Sequence, residues 1–127
     1  MSARRRIQAL ATMAVPWNIL GVVMFLAEVG ALPGGGPPPG GAELPAAIKV
    51  CFGIGAVTGL AGAMGLALLR RWARPALWVS LTGLLIDWTW VFGFSGAASI
   101  LIGVAVLSVA ALLVVLAELA VRGALLR

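Results

Sequence analysis

The sequence contains no histidine, no tyrosine, a single cysteine and only four acidic residues among its 127 positions. The lone Cys51 cannot form an intramolecular disulfide, and it supplies too few ligands for a thiolate zinc site. Without histidine, and without a glycine-rich phosphate loop between a strand and a helix, the chain cannot assemble a nucleophile with its base or a metal cluster. These absences argue against an enzyme and predict neither a cofactor nor a metal.

The abundant residues are hydrophobic, and the basic residues are clustered. Hydrophobic residues make up 62% of the chain and charged residues 10%, whereas soluble domains are roughly half apolar. All eight arginines fall at 4–6, 70–74 and 122–127, and cytoplasmic loops of membrane proteins carry an excess of Lys and Arg. We therefore predict an all-α integral membrane protein, a four-transmembrane-helix bundle made of two helical hairpins, with both termini cytoplasmic. The net charge of +5 does not indicate a nucleic-acid partner, because each arginine cluster adjoins an apolar span and would meet lipid head groups of the bilayer.

A single domain over residues 1–127 accommodates four spans of the required length, about 20 apolar residues each. The spans are predicted at 7–32, 46–69, 76–94 and 97–121, with a Pro- and Gly-rich outer loop at 33–45 and a cytoplasmic turn at 70–75. The first segment also fits a secretory signal peptide, with a small-residue cleavage site at Val29-Gly30-Ala31. Its apolar stretch is longer than the roughly 7–15 residues of such a peptide, so we expect it to be retained as a span.

Small residues mark two helix-packing faces. Gly55 and Gly59 form a GxxxG pattern that Gly62 continues, and Ser99 and Gly103 lie four residues apart in the fourth span. In a bilayer, small side chains let helices approach closely enough to associate through van der Waals contact. These faces predict packing within the bundle, with homodimerisation as the alternative.

The polar residue of greatest chemical interest is Asp87, which lies about 16 Å along a helix that begins at Ala76. A carboxylate near the bilayer midplane costs about 2.5–3.5 kcal/mol and is a functional candidate by default. Glu28 and Lys49 are predicted to converge on the same outer half of the membrane, so the three form a candidate site. The alternative is that Lys49 extends to the surface and neutralises one carboxylate.

Other polar and aromatic residues complete the predicted arrangement. Asn18 belongs to an inward polar stripe with Glu28 on the first helix, and Ser80 shares the face of Asp87 and could line a cavity. Trp88 is interpreted as part of an interfacial aromatic belt. Glu118 and Arg122 are spaced for a helical ion pair at the cytoplasmic end.

Three segments resemble a known family. They are Trp17-Asn18 with Gly21, the run Leu68-Leu69-Arg70-Arg71-Trp72-Ala73-Arg74-Pro75, and Ser80-Leu81. The chain is similar in these segments to small four-helix bacterial inner-membrane proteins that commonly carry the label sugar transporter and have no established activity. The resemblance implies a bacterial inner-membrane location and a transport role. The family often has an amide at the position of Asp87, so the acid departs from its pattern.

Two functions from different classes fit the sequence. In the first, the protein has a small-solute, including sugar, or proton-linked transport role, is dimeric, and uses Asp87 as its titrating group. In the second, it is an accessory or scaffold protein without catalytic activity whose Gly-rich helix docks a larger membrane partner. The intramembrane acid favours the first, and the absence of an evident inverted repeat favours the second.

Overall fold

The computed structural model describes residues 2–35, 45–94 and 100–126, and these residues contain four long α-helices. The helices are α1 (Ala3–Glu28), α2 (Ala46–Ala67), α3 (Ala73–Phe94) and α4 (Ile100–Arg122). Each contains a stretch long and apolar enough to cross a bilayer. The predicted class is confirmed: the protein is an all-α, multi-pass membrane protein built as a four-helix bundle.

The ends of α1 are set by local backbone chemistry. Ser2 caps the first turn, where its hydroxyl oxygen accepts a hydrogen bond from the backbone N–H of Arg5. At the other end Gly30 has a φ of 76°, and the N–H of Ala31 donates to the carbonyl of Leu26 at 2.9 Å. A left-handed glycine with this hydrogen bond closes a helix. α1 therefore ends at Glu28, four residues before the predicted limit of the span at residue 32.

The turn between α2 and α3 depends on a left-handed leucine. Leu69 has a φ of 55°, and the N–H of Arg70 donates to the carbonyl of Gly65 at 2.8 Å. The left-handed conformation costs a residue with a side chain roughly 1–2 kcal/mol, but the side chain of Leu69 is only 1% exposed, and its burial offsets that cost. α2 consequently ends at Ala67 and not at the predicted residue 69, and α3 begins at Ala73 and not at the predicted residue 76. Pro75 therefore lies in the first turn of α3.

Glycines hold α2 and α3 against each other. A Cβ at position 83 of α3 would lie 2.8 Å from the backbone oxygen of Cys51, so the two helix backbones are in close contact. On α2, Gly55 accommodates the side chain of Leu84 and Gly62 that of Leu77. The glycine stripe of α2 thus faces neighbouring helices of its own chain.

The fourth helix packs on α3 through a glycine and an aromatic pair. A Cβ at Gly103 would lie 2.5 Å from the ring of Trp88 and 2.6 Å from that of Phe92. The two rings themselves pack with centroids 5.7 Å apart. Ser99, the other predicted packing residue of this helix, lies outside the described residues.

The arginines at 4–6, 70–74 and 122 gather at one end of the bundle, which we call the arginine end. Ile7 of α1, Leu66 of α2, Ala73 of α3 and Ala120 of α4 belong to a single buried core cluster, and these residues adjoin the three clusters of arginines in sequence. Gln8 reinforces this contact, since its Nε2 donates to the carbonyl of Ala67 at 3.0 Å. The common end is what the charge pattern predicts for two helical hairpins.

The predicted ion pair between Glu118 and Arg122 is replaced by a contact between helices. Glu118 Oε1 accepts from Arg74 Nε at 2.6 Å and from Trp78 Nε1 at 2.9 Å. Both donors come from the start of α3, one turn apart on that helix. Glu118 therefore ties α4 to α3 at the arginine end.

We predict that Gly83→Ala destabilises the protein by about 1–3 kcal/mol, the usual cost of overpacking, because the atoms that its methyl group would meet belong to the backbone of α2. Gly93→Ala on the same helix is the control: no atom of residues 2–35, 45–94 and 100–126 lies within 4 Å of a Cβ there, and alanine is the better helix former by about 0.5–1 kcal/mol. Thermal unfolding in detergent, followed by circular dichroism, measures both. Equal stability of Gly83→Ala and the wild type would contradict the close approach of α2 and α3.

Candidate functional site

Three helices meet at a gap left by Gly59. A Cβ at this position of α2 would lie 2.7 Å from Asn18 Oδ1 on α1 and 2.8 Å from Ser80 Oγ on α3. Both polar side chains therefore point toward the same place, where glycine leaves room for them. The structure thus brings together two residues that the sequence predicts separately. Asn18 is assigned to the polar stripe of Glu28 on the first helix, and Ser80 to the face of Asp87 on the third.

The hydroxyl hydrogen of Ser80 and one of the two N–H groups of Asn18 Nδ2 are already engaged within the chain. Ser80 Oγ donates to the carbonyl oxygen of Gly55 at 2.7 Å, and Asn18 Nδ2 donates to that of Ala14 at 2.8 Å. Ser80 is only 2% exposed. Its remaining capacity, like that of Asn18 Oδ1, is to accept hydrogen bonds. The pair thus presents oxygen acceptors to the space around Gly59.

That space continues into a cavity of about 280 Å³ bounded by all four helices. Its polar side chains are those of Asn18 and Ser80, and most of the remaining wall is aliphatic or aromatic. The lining residues are Trp17, Asn18, Leu20, Gly21, Met24, Phe52, Gly55, Ala56, Leu77, Ser80, Leu84, Trp88, Ile102, Val106, Val109, Ala110 and Leu113. A cavity with this wall suits a compact, mainly apolar molecule that carries a polar group.

Trp88 has a different role from the one the sequence predicts. Instead of lying free in an aromatic belt, it is half-buried, packs on Gly103 and lines the cavity. A signal for this exists in the sequence. Leu77, Ser80, Leu84 and Trp88 are separated by three and four residues, the spacing of a single helix face, and all four line the cavity.

Asp87 does not line the cavity, although two of its neighbours on α3 do. Gly83, one turn earlier, contacts α2, so Asp87 lies on the face of α3 that is turned toward α2. Because α3 begins at Ala73, the carboxylate lies about 21 Å from that end, well past the middle of a helix roughly 33 Å long. Asp87 therefore lies in the half of α3 that is farther from the arginine end.

The Asp87 carboxylate is buried without full hydrogen bonding. The residue is 2% exposed, and its Oδ1 has no hydrogen-bond partner among residues 2–35, 45–94 and 100–126. Buried polar atoms are nearly always paired, so an unpaired carboxylate oxygen calls for an explanation. Asp87 is accordingly a second candidate functional position, separate from the cavity.

The other two members of the predicted charged site lie near the same end of the bundle. Glu28 is the last residue of α1 and is half-buried. Lys49 lies in the first turn of α2 and is also half-buried. The structure therefore divides the five predicted residues into two groups: Asn18 and Ser80 lie at the cavity, and Glu28, Lys49 and Asp87 lie farther from the arginine end.

Comparison with known proteins gives this chain no family. No protein-family model, curated protein or solved structure matches it. The functional argument therefore depends on the residues and geometry described above.

We predict that Asp87→Asn stabilises the protein by about 1–3 kcal/mol at alkaline pH, where the carboxylate is ionised. The amide keeps the shape of the side chain and removes the cost of burying a charge without a full set of partners. Thermal unfolding in detergent measures the change. Lower stability of the variant would show that the charge of Asp87 is stabilised by a partner.

A double-mutant cycle with Glu28→Gln tests the repulsion between the two carboxylates. Either substitution removes that repulsion, so the double variant should gain less than the sum of the two single gains. Additive gains would contradict an interaction between Glu28 and Asp87.

Proposed function

We propose that this protein has a small-solute transport role in which the solute binds in the cavity beside Asn18 and Ser80. The observation that carries the proposal is the convergence of these two oxygen acceptors on the space left by Gly59, at the edge of a cavity among four spans. Ligand sites commonly combine apolar walls with a few converging polar groups.

The geometry favours a particular class of solute. The Asn18 and Ser80 atoms nearest Gly59 are both oxygens, and the hydroxyl hydrogen of Ser80 is engaged within the chain, so a solute at this place should supply a donor, as an amine or a hydroxyl group does. The volume of about 280 Å³ is at the lower limit of typical ligand pockets, about 300 Å³. A free sugar has a hydroxyl group on most of its carbons and would leave many of them unpaired against this wall. A compact molecule with one or two donors and an apolar body fits better.

Asp87 supports a proton-linked form of this role. A carboxylate buried between helices changes the charge inside the bundle when it takes up or releases a proton, and intramembrane acids serve as proton relays in transporters. Its separation from the cavity places the proton and the solute at different positions. Coupling between them would pass through α3, which carries both Ser80 and Asp87.

We further infer a location in a bacterial inner membrane, with the arginine end cytoplasmic. The orientation follows from the excess of basic residues in cytoplasmic loops, and the organism class follows from the family resemblance. We assign the protein no catalytic activity, cofactor or metal. A homodimer is consistent with the narrow bundle.

A scaffold role has less support from the contacts of the Gly-rich helix. Gly55, Gly59 and Gly62 would be the natural docking residues, but side chains of α1 and α3 of the same chain already occupy the space beside them. The exposed face of α2 carries larger residues, among them Val50, Ile54 and Val57, which suit contact with lipid. A partner would have to dock on that face.

We predict that a solute of the proposed class raises the thermal stability of the purified protein, and that Gly21→Leu abolishes the shift. A ligand present at 100 times its Kd stabilises the folded state by about 2.7 kcal/mol. Gly21 lines the cavity, and no atom of the described part of the chain lies within 4 Å of a Cβ there, so a leucine should fill the cavity without disturbing the fold. The screen compares small amines, alcohols and sugars in detergent.

Gly93→Leu is the matched control, because it adds the same side chain to open space away from the cavity. It should respond to the solute as the wild type does. A shift that survives in Gly21→Leu would place the solute elsewhere, and the absence of a shift with every solute would count against the transport role.

The proton-linked form of the role is tested with Asp87→Asn in liposomes. This variant should still bind the solute, but the flux of the solute should no longer depend on a proton gradient.

A further inference from the structure

A groove of about 380 Å³ lies at the arginine end, between the start of α3 and the end of α4. Arg71 and Arg74 line it on one side, and Val121, Ala124 and Leu126 on the other. None of these residues lines the cavity of Asn18 and Ser80. The groove therefore combines a cationic wall with an apolar one at the end of two membrane spans.

The charge of the groove is held in place by Glu118. Arg74 donates its Nε–H to Glu118 Oε1 at 2.6 Å, which orients a guanidinium group that has five N–H donors in all. Arg71 is exposed, and Arg122 is the last residue of α4. Among the described residues, Glu118 sets one carboxylate against Arg71, Arg74 and Arg122, which leaves this part of the groove with an excess of positive charge.

The groove also lies at the level where lipid head groups are expected. Trp72 and Trp78, both about half exposed, flank Arg74 in the chain, and tryptophans of this kind occupy the membrane–water interface. Basic pockets between transmembrane helices at this level bind the head groups of anionic lipids. The apolar wall can contact the hydrocarbon part of a lipid, whereas a soluble anion has no apolar part to place against it.

From these contacts we propose that the groove binds one anionic phospholipid of the surrounding membrane. Its phosphate lies against the guanidinium groups of Arg71 and Arg74, and the upper part of its acyl chains runs along Val121, the exposed member of the apolar wall that lies within α4. Glu118 is a positioning residue, since it orients Arg74 and does not itself face the phosphate. The bound lipid would join α3 and α4 at the same end as the ion pair between Arg74 and Glu118.

Native mass spectrometry of the full chain in detergent tests this proposal, with phosphatidylglycerol and phosphatidylcholine as probes. We expect one phosphatidylglycerol to be retained in preference to phosphatidylcholine. Arg71→Gln should weaken its binding by a factor of about five, the equivalent of the energy of one basic residue at an anionic membrane surface. Arg5→Gln is the control: it removes the same charge at the arginine end, but Arg5 does not line the groove.

Three results would overturn the proposal. Equal weakening by Arg5→Gln and Arg71→Gln would mean that the attraction is a diffuse effect of charge. Equal retention of the two lipids would mean that the phosphate is not recognised. Displacement of phosphatidylglycerol by inorganic phosphate at equal concentration would mean that the groove takes a soluble anion. Circular dichroism and thermal unfolding of each variant confirm that the fold is intact before the binding is compared.

Discussion

The close approach of α2 and α3 is the contact on which the rest of the structure depends. Lipid is as apolar as leucine, so helices in a bilayer associate through fitted surfaces and not through exclusion of water. Gly83 against the backbone of Cys51, and Gly55 against Leu84, provide such a fit. The α2–α3 pair then offers α1 the surface around Gly59 and offers α4 the rings of Trp88 and Phe92. Each outer helix is positioned by the central pair.

The same property of glycine that permits close packing also creates the polar part of the site. Gly59 lies in the stripe that packs α2 on its neighbours, yet the space beside it contains the oxygens of Asn18 and Ser80. Any larger residue would fill that space and force these side chains away. Helix packing and solute binding therefore both require a glycine at position 59. A helix rich in small residues can thus serve its own bundle and need not be a docking surface for another protein.

Hydropathy and the arginine pattern were enough to predict the class of fold and the number of spans, because both follow from the cost of placing polar groups in a bilayer. The end of α1 at Glu28, before the left-handed Gly30, was predicted four residues too late, and a left-handed Leu69 could not be foreseen, since it depends on tertiary burial. Asn18 and Ser80 could be identified as polar residues of the spans. Their separation from Asp87 could not, because a helical wheel gives the faces of one helix and not its rotation against the next.

The location of the cavity follows from how unequally the helices are buried. Within the spanning stretch of α2, 44% of residues are buried, against 6% in α1. The buried residues of α1 are Ile7 and Ala11, both at the arginine end. Beyond them α1 meets α2 through Asn18 at Gly59 and through Phe25 at Gly53, and it has few contacts with α4. Because α1 and α4 both pack on the α2–α3 pair and have few contacts with each other, a space remains between α1 and α4. The cavity occupies that space, and its walls are consequently fixed on the side of α2 and α3 and least constrained at α1.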